Sequence, residues 1–125
     1  HDAPKLIVST LTGERHGLGA RLASAAATFD GWSVVYLGTD LPVEEVAMAA
    51  GTLGADAVAI SVVRRIEAVA SAQALADLRR RLDPRVLLFV GGGGLAEIPQ
   101  SLMPAGVIQM IGLEGFAAHR PGLQV

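Results

Sequence analysis

Three short stretches of this chain have residue types that could serve a ligand. The first is Thr12-Gly13-Glu14-Arg15-His16-Gly17-Leu18-Gly19, in which a histidine follows a carboxylate by two residues on a glycine-flanked turn. The second is Ser61, near the end of an apolar run, and the third is Gly91-Gly92-Gly93-Gly94, directly after another. A single histidine on a turn is either a ligand-binding group or a solvated loop residue near a helix start, because imidazoles serve many roles. Ser61 is either a polar contact for a ligand or a strand-end hydroxyl bonding its own backbone. Four glycines in a row are a costly way to turn a chain, since glycine loses more backbone entropy than any other residue. At a ligand-binding edge, the missing side chains leave room for something large to approach the backbone. A phosphate loop of the Walker type is excluded, because no Lys-Ser/Thr follows the glycines. The dinucleotide fingerprint fails as well, because its glycine turn belongs after the first strand, where Gly13, Glu14 and His16 stand here. A phosphoacceptor receiver would need an aspartate where Ser61 stands.

The elements that must position these residues follow from hydrophobic periodicity. Lys5 to Thr10 reads as a first strand, and Gly17 to Phe29 as a helix with Leu22, Ala25, Ala26 and Phe29 at helical spacing, stopped by Asp30-Gly31. Trp32 to Leu37 reads as a second strand. Gly38-Thr39-Asp40-Leu41-Pro42 follows, with Thr39 or Asp40 available to cap the next helix and Pro42 suited to its first turn. Val43, Val46, Ala47, Ala50 and Leu53 mark that second helix. Ala57 to Val63 is a third strand, apolar on both faces as a central parallel strand should be. Ile66, Val69, Ala70, Leu75, Leu78 and Leu82 mark a third helix ending before Pro84. Arg85 to Val90 is a fourth strand, Leu95 to Leu102 a short helical stretch broken by Pro99, Gly106 to Met110 a fifth strand, and Leu113 to His119 a weak last helix. Strand and helix alternate five times, which predicts an α/β, doubly wound, five-stranded parallel sheet of flavodoxin-like or Rossmann-like type, order 2-1-3-4-5. In that order the switch point lies between strands one and three. The His16 loop, Ser61 and the glycine run then converge on one edge.

Composition narrows the function classes. The chain has 125 residues, suited to one domain spanning 1–125, and begins at His1 without a methionine, which reads as a piece of a longer protein. A formal charge of −2 implies no surface able to bind nucleic acid unaided. Arg79-Arg80-Arg81 is the dense basic cluster, placed to serve as a solvated helix end. With no cysteine there are no disulfides, thiolate ligands or cysteine nucleophile. No run is long enough to span a membrane and no signal segment is visible, so a cytoplasmic domain is expected. His1 and His119 have no partnering pattern and carry no assigned role.

The residues resemble the cobalamin-binding domains of methionine synthases, mutases and light-sensing regulators, which carry Asp-x-His-x-x-Gly, Ser-x-Leu and Gly-Gly at set intervals. Here Glu14-Arg15-His16-Gly17-Leu18-Gly19 is followed after 41 residues by Ser61-Val62-Val63, and after a further 27 by Gly91-Gly92. Glu14 replaces the aspartate and Val63 the leucine; the first change is similar to the Glu-x-His form of cobalamin-dependent photoreceptor regulators. The resemblance implies base-off cobalamin with His16 on cobalt, an imidazole ligand suited to a borderline metal, and Glu14 fixing its tautomer. It further implies a nucleotide tail buried between sheet and helix, with Ser61 bonding the base, Gly91, Gly92 and Gly93 leaving it room, and Gly19 letting the first helix pass close. Tyr36-Leu37-Gly38-Thr39-Asp40-Leu41-Pro42 also resembles this group, although strand end and helix cap are its main physical role. Arg64 and Arg65 would meet a partner domain or a cofactor amide, or form a solvated pair.

Beyond those cofactor residues the chain offers no general acid, base or nucleophile, so any reaction would belong to the cofactor and to a helical cap or other domain over its upper face. The expected function is the sensory module of a cobalamin-dependent, light-responsive transcriptional regulator that takes adenosylcobalamin or methylcobalamin. The alternatives are the cofactor-carrying domain of a corrinoid methyltransferase or an adenosylcobalamin-dependent isomerase, and a related haem-binding or ligand-free sensor. A homo-oligomer is compatible with either regulator or carrier.

Overall fold

The computed structural model describes residues 3–63 and 68–120. Arg64, Arg65, Ile66 and His1, which the sequence reading discussed, lie outside the described residues. Five parallel strands form one sheet in the order β2-β1-β3-β4-β5. They are β1 (Lys5–Leu11), β2 (Ser33–Leu41), β3 (Ala57–Ser61), β4 (Leu87–Gly91) and β5 (Ile108–Gln109), with helices α1 (Leu18–Phe29), α2 (Val43–Leu53), α3 (Ala68–Arg81) and α4 (Gly115–Ala118). The predicted fold and strand order are those observed.

Alternation along the strands divides the interior in two. Ile7, Val58, Ile60, Leu88 and Val90 pack with α2 and α3 on one face. Leu6, Val8, Ala57, Ala59 and Phe89 pack with α1 and α4 on the other. Phe89 anchors the second face, meeting Trp32 edge-on at 6.1 Å and Phe116 at 5.2 Å between ring centroids.

Four local expectations need correction. In α1 the inward residues are Ala20, Ala23, Ala26 and Ala27, so of the four expected positions Ala26 packs on the sheet, whereas Leu22, Ala25 and Phe29 are exposed, Phe29 at 91%. Small side chains bring the helix close to the sheet, and an alanine-rich helix is apolar on both faces. In α3, Val69 and Ala70 are exposed; Ala72, Leu75 and Leu78 are the inward positions. Between Gly93 and Leu102 the chain makes two 3₁₀ turns, Gly93–Glu97 and Gln100–Leu102, with Pro99 between them.

The fourth correction concerns β2, which continues through Gly38–Leu41 rather than ending at Leu37. Its register with β1 shifts twice, because Val8 pairs with Tyr36, Ser9 with Gly38 and Leu11 with Leu41. Extra residues on one strand bend it and raise its twist. Neither Thr39 nor Asp40 caps α2; its N-cap is Pro42, with no side-chain bond. Glu44 and Glu45 in the first turn complement the helix dipole instead. Asp40 has other work, described below.

Candidate functional site

All three chemically able stretches stand on the carboxyl edge of the sheet. β1 ends at Leu11, and a tight turn, with Glu14 N donating to Leu11 O at 2.9 Å, carries the chain back over that edge. Glu14 is 8% exposed, a buried carboxylate, so its oxygens need donors. His16 Nδ1 lies 2.9 Å from Glu14 Oε2, His16 N donates to that same oxygen at 3.2 Å, and Val63 N donates to Oε1 at 2.7 Å. This arrangement sets the tautomer: with Nδ1 as the donor to a carboxylate, Nε2 keeps its lone pair. The imidazole side chain is 60% exposed. It therefore offers a ligating nitrogen to whatever sits above the edge. Among the described residues no group of three or more His, Cys, Asp or Glu side chains could enclose a metal ion. A metal here would have to bring most of its own ligands. Asp83, whose carboxyl the Arg85 hydrogen bonds lower to about 2, sits before β4, at the sheet's other edge, and takes no part.

Beside the histidine loop a cavity of about 340 Å³ runs between α1 and the ends of β3, β4 and β5. Its floor is apolar, with Val8, Ala59, Phe89 and Phe116. Gly91, Gly92 and Gly93 form one wall, and Leu22, Ile111 and Leu113 are exposed at its mouth. Ser61 also lines it. The Ser61 hydroxyl is buried and has no hydrogen-bond partner among the described residues. Native structures satisfy nearly all such groups, so an orphan facing a cavity signals a missing partner. Gly19 stands opposite: a Cβ on it would lie 2.9 Å from Ser61 Oγ. The absence of that carbon lets α1 approach β3 and keeps the serine rotamer free.

The sequence-derived residues thus divide by how they take part. Glu14, His16, Gly19, Ser61, Gly91, Gly92 and Gly93 come together at one edge. Val63 joins them through its backbone N–H to Glu14, and its side chain is not among the cavity lining. Gly92 needs a different explanation from the one its motif suggested. Its φ is +107°, and a Cβ on it would overlap Val62 O and lie 3.0 Å from Val62 C and N. β3 stops at Ser61, and Val62 then threads beneath the glycines, with Val62 N donating to Gly91 O and Gly94 N to Val62 O, both at 2.8 Å. Gly92 is glycine first for backbone reasons. Gly93 has open space around its missing Cβ and Gly91 only ordinary contacts with Met110, so those two leave the cavity wall bare.

Sequence reasoning passed over Ser9 and Thr10, both fully buried. Thr10 Oγ1 donates to Glu14 O at 2.5 Å and accepts from Asp40 N at 2.8 Å; Ser9 Oγ lies 3.0 Å from both Thr10 O and Gly38 O. The available signal was two consecutive hydroxyls interrupting the apolar run of β1 just before Leu11.

An imidazole with one nitrogen pinned, no cluster of metal-ligating side chains among the described residues, and a largely apolar cavity with an unpartnered hydroxyl suit a ligand that carries its own metal. The comparisons agree. A corrinoid protein of Desulfitobacterium hafniense is 26% identical over 95 residues, covering 75% of this chain and 44% of that protein. A cobalamin-binding protein structure from the same species aligns at TM-score 0.75 and 19% identity, over 93% of this chain and 57% of that one. The methanol:cobalamin methyltransferase complex of Methanosarcina barkeri aligns at TM-score 0.76 and 18% identity, over 91% of this chain and 43% of that one. At such identities the structural matches speak for the fold. This chain spans about half the length of these relatives. The sequence profile of the B12 binding domain matches residues 4–118, nearly the whole chain, and with it the chain belongs to the B12 binding domain family.

Proposed function

We propose that this cobalamin-binding domain is the corrinoid-carrying module of a methyl-transfer system, holding cobalamin base-off with His16 as the lower ligand of cobalt. The observation that carries the reading is the buried Ser61 hydroxyl, without a partner among the described residues, on the lining of a cavity of about 340 Å³. Cobalamin, when bound, supplies a cobalt able to take up and hand on an alkyl group. The chain's own residues do the rest. Glu14 holds Nδ1–H and presents Nε2; Ser61 would offer its hydroxyl to the cofactor's displaced tail, and Gly91 and Gly93 would leave it wall space. The choice of a carrier over a sensor is supported by the corrinoid relative and by the methyltransferase complex among the structural neighbours. Methylcobalamin suits that role, with a methyltransferase subunit or helical domain covering the upper face. The regulator reading keeps in its favour the glutamate at position 14 and the stretch Leu37-Gly38-Thr39-Asp40-Leu41-Pro42, and it would take adenosylcobalamin.

Absorption spectra after incubation with methylcobalamin and adenosylcobalamin, in darkness and after illumination, test this directly. Nitrogen-ligated spectra with both, with the nitrogen traced to the protein by isotope labelling and electron paramagnetic resonance on reduced cobalt, and no change of oligomeric state in light, fit the carrier. A light-driven change of assembly with adenosylcobalamin would favour the regulator. A spectrum without a lower nitrogen ligand, or a cobalt-bound nitrogen that comes from the cofactor's own base, would overturn the assignment of His16.

Two variants grade the roles. Glu14→Gln is expected to weaken cobalamin binding about 10 to 100-fold, the usual effect of removing a residue that orients a metal ligand. If titration shows it to be worse than His16→Ala, the assigned roles are wrong. Ser61→Ala removes a buried unpaired hydroxyl, which costs about 1–3 kcal/mol when nothing satisfies it. The cobalamin-free variant should melt at or above the parent's temperature while binding falls roughly tenfold. A lower melting point with unchanged affinity would place Ser61 in the scaffold instead.

A further inference from the structure

The residues immediately before His16 share one anchor beyond the turn and Val63 bonds already described. Gly13 N donates to Asp40 Oδ1 at 2.7 Å, Arg15 Nε lies 3.6 Å from Asp40 Oδ2, and the Glu14 carbonyl accepts from Thr10 Oγ1, which itself accepts from Asp40 N. Positions 13, 14 and 15 are thus tied, directly or through Thr10, to a single residue at the bent end of the edge strand. Asp40 is also the one described non-glycine residue with positive φ, +61°. A left-handed aspartate costs energy that surrounding structure must offset. Here that conformation turns the Asp40 N–H toward Thr10 while the carboxylate reaches Gly13. The strand irregularities at Ser9–Gly38 and Leu11–Leu41 deliver it there.

We propose that Asp40 is a positioning residue for the Glu14–His16 pair, using the end of β2 as a clamp on the histidine loop. Its action on a cobalt ligand rests on the cobalamin reading above; its action on the loop does not. The short bond to Gly13 is charge-assisted and dominates. The exposed Arg15 contact adds little, as surface ion pairs do. Residue type follows from both demands: the position needs an acceptor two atoms from the backbone and a residue that tolerates left-handed φ, which aspartate and asparagine meet.

Two substitutions separate conformation from clamp. Asp40→Gly keeps the left-handed backbone without strain and deletes the acceptor; Asp40→Asn keeps both. In cobalamin-free protein, hydrogen exchange at the Gly13 amide and NMR of the His16 ring report the loop. With Asp40→Gly the Gly13 amide should exchange at least roughly tenfold faster, the loss of one hydrogen bond, and the His16 ring should lose its ordered Glu14 partner. Asp40→Asn, which keeps a neutral acceptor, should restore much of both. With cobalamin, Asp40→Gly should bind about 10 to 100-fold more weakly and show a reduced imidazole-nitrogen signature on reduced cobalt by electron paramagnetic resonance. A Gly13 amide as protected in Asp40→Gly as in the parent chain overturns the clamp. So does an unrestored loop in Asp40→Asn. If the loop loosens as stated while the parent chain shows no imidazole on cobalt, the clamp stands and the cobalamin reading falls.

Discussion

His16→Ala is expected to remove the imidazole-ligated spectrum altogether and to weaken cobalamin binding by more than ~100-fold, beyond what loss of a supporting residue costs. The reason lies in the donor inventory of the edge. Glu14 is committed to His16 and to the Val63 amide, and no cluster of other ligating side chains exists among the described residues to replace the imidazole. Cobalt would be left with water or with the cofactor's own base, and a returning base would vacate the cavity that Ser61 lines. The variant should fold, because His16 is largely exposed and its loop is held by bonds from Thr10 and Asp40. Absorption and electron paramagnetic resonance spectra of the loaded variant make the measurement. Unchanged nitrogen signatures would exclude His16 as the ligand, and with it the shared-edge account of the histidine and the cavity.

Most of the fold was legible because parallel strands buried on both faces leave an unmistakable trace. Leu6-Ile7-Val8, Val58-Ala59-Ile60 and Leu88-Phe89-Val90 are runs that only a covered sheet explains. The motif residues were legible because their spacing reflects where strand ends fall. Less legible were features set by tertiary approach. An alanine-rich α1 does not announce which face is buried, so Leu22 and Phe29 were assigned inward and are outward. Asp40 reads from sequence as a helix cap, and only the doubled register shift of β2 turns it onto the histidine loop. Gly92 reads as a vacancy for a ligand. Its demand comes from Val62, whose path beneath the glycines depends on β3 ending two residues earlier than its apolar run.

That difference at Gly92 reverses an expectation about stability and supplies the sharpest test of the cavity. From the motif alone, a valine at Gly92 would obstruct the tail and leave the cofactor-free domain as stable as before. The structure predicts otherwise. At φ +107° a β-branched residue is strained, and its Cβ would overlap the Val62 carbonyl, backbone that two hydrogen bonds hold in place. Neither side is a flexible side-chain end that can swing away. Gly92→Val should therefore cost about 3 kcal/mol or more and lower the cofactor-free melting point by roughly 10 °C in a domain of this size. Gly93→Val is the complementary variant. A Cβ at Gly93 meets nothing within 4 Å, and the position lines the cavity. Replacing a glycine whose backbone angles tolerate a side chain restricts the unfolded chain, so cofactor-free stability should hold or rise slightly. The branched side chain would occupy the space proposed for the nucleotide tail, and cobalamin affinity should fall. Stabilisation by added cobalamin, which grows as RT ln(1 + [L]/Kd), should shrink with it. Melting curves of both variants with and without cobalamin read all four quantities. Wild-type stability in Gly92→Val would refute the backbone clash. Wild-type cobalamin stabilisation in Gly93→Val would mean that the tail does not enter between α1 and the ends of β3 and β4, and Ser61 would then need another partner.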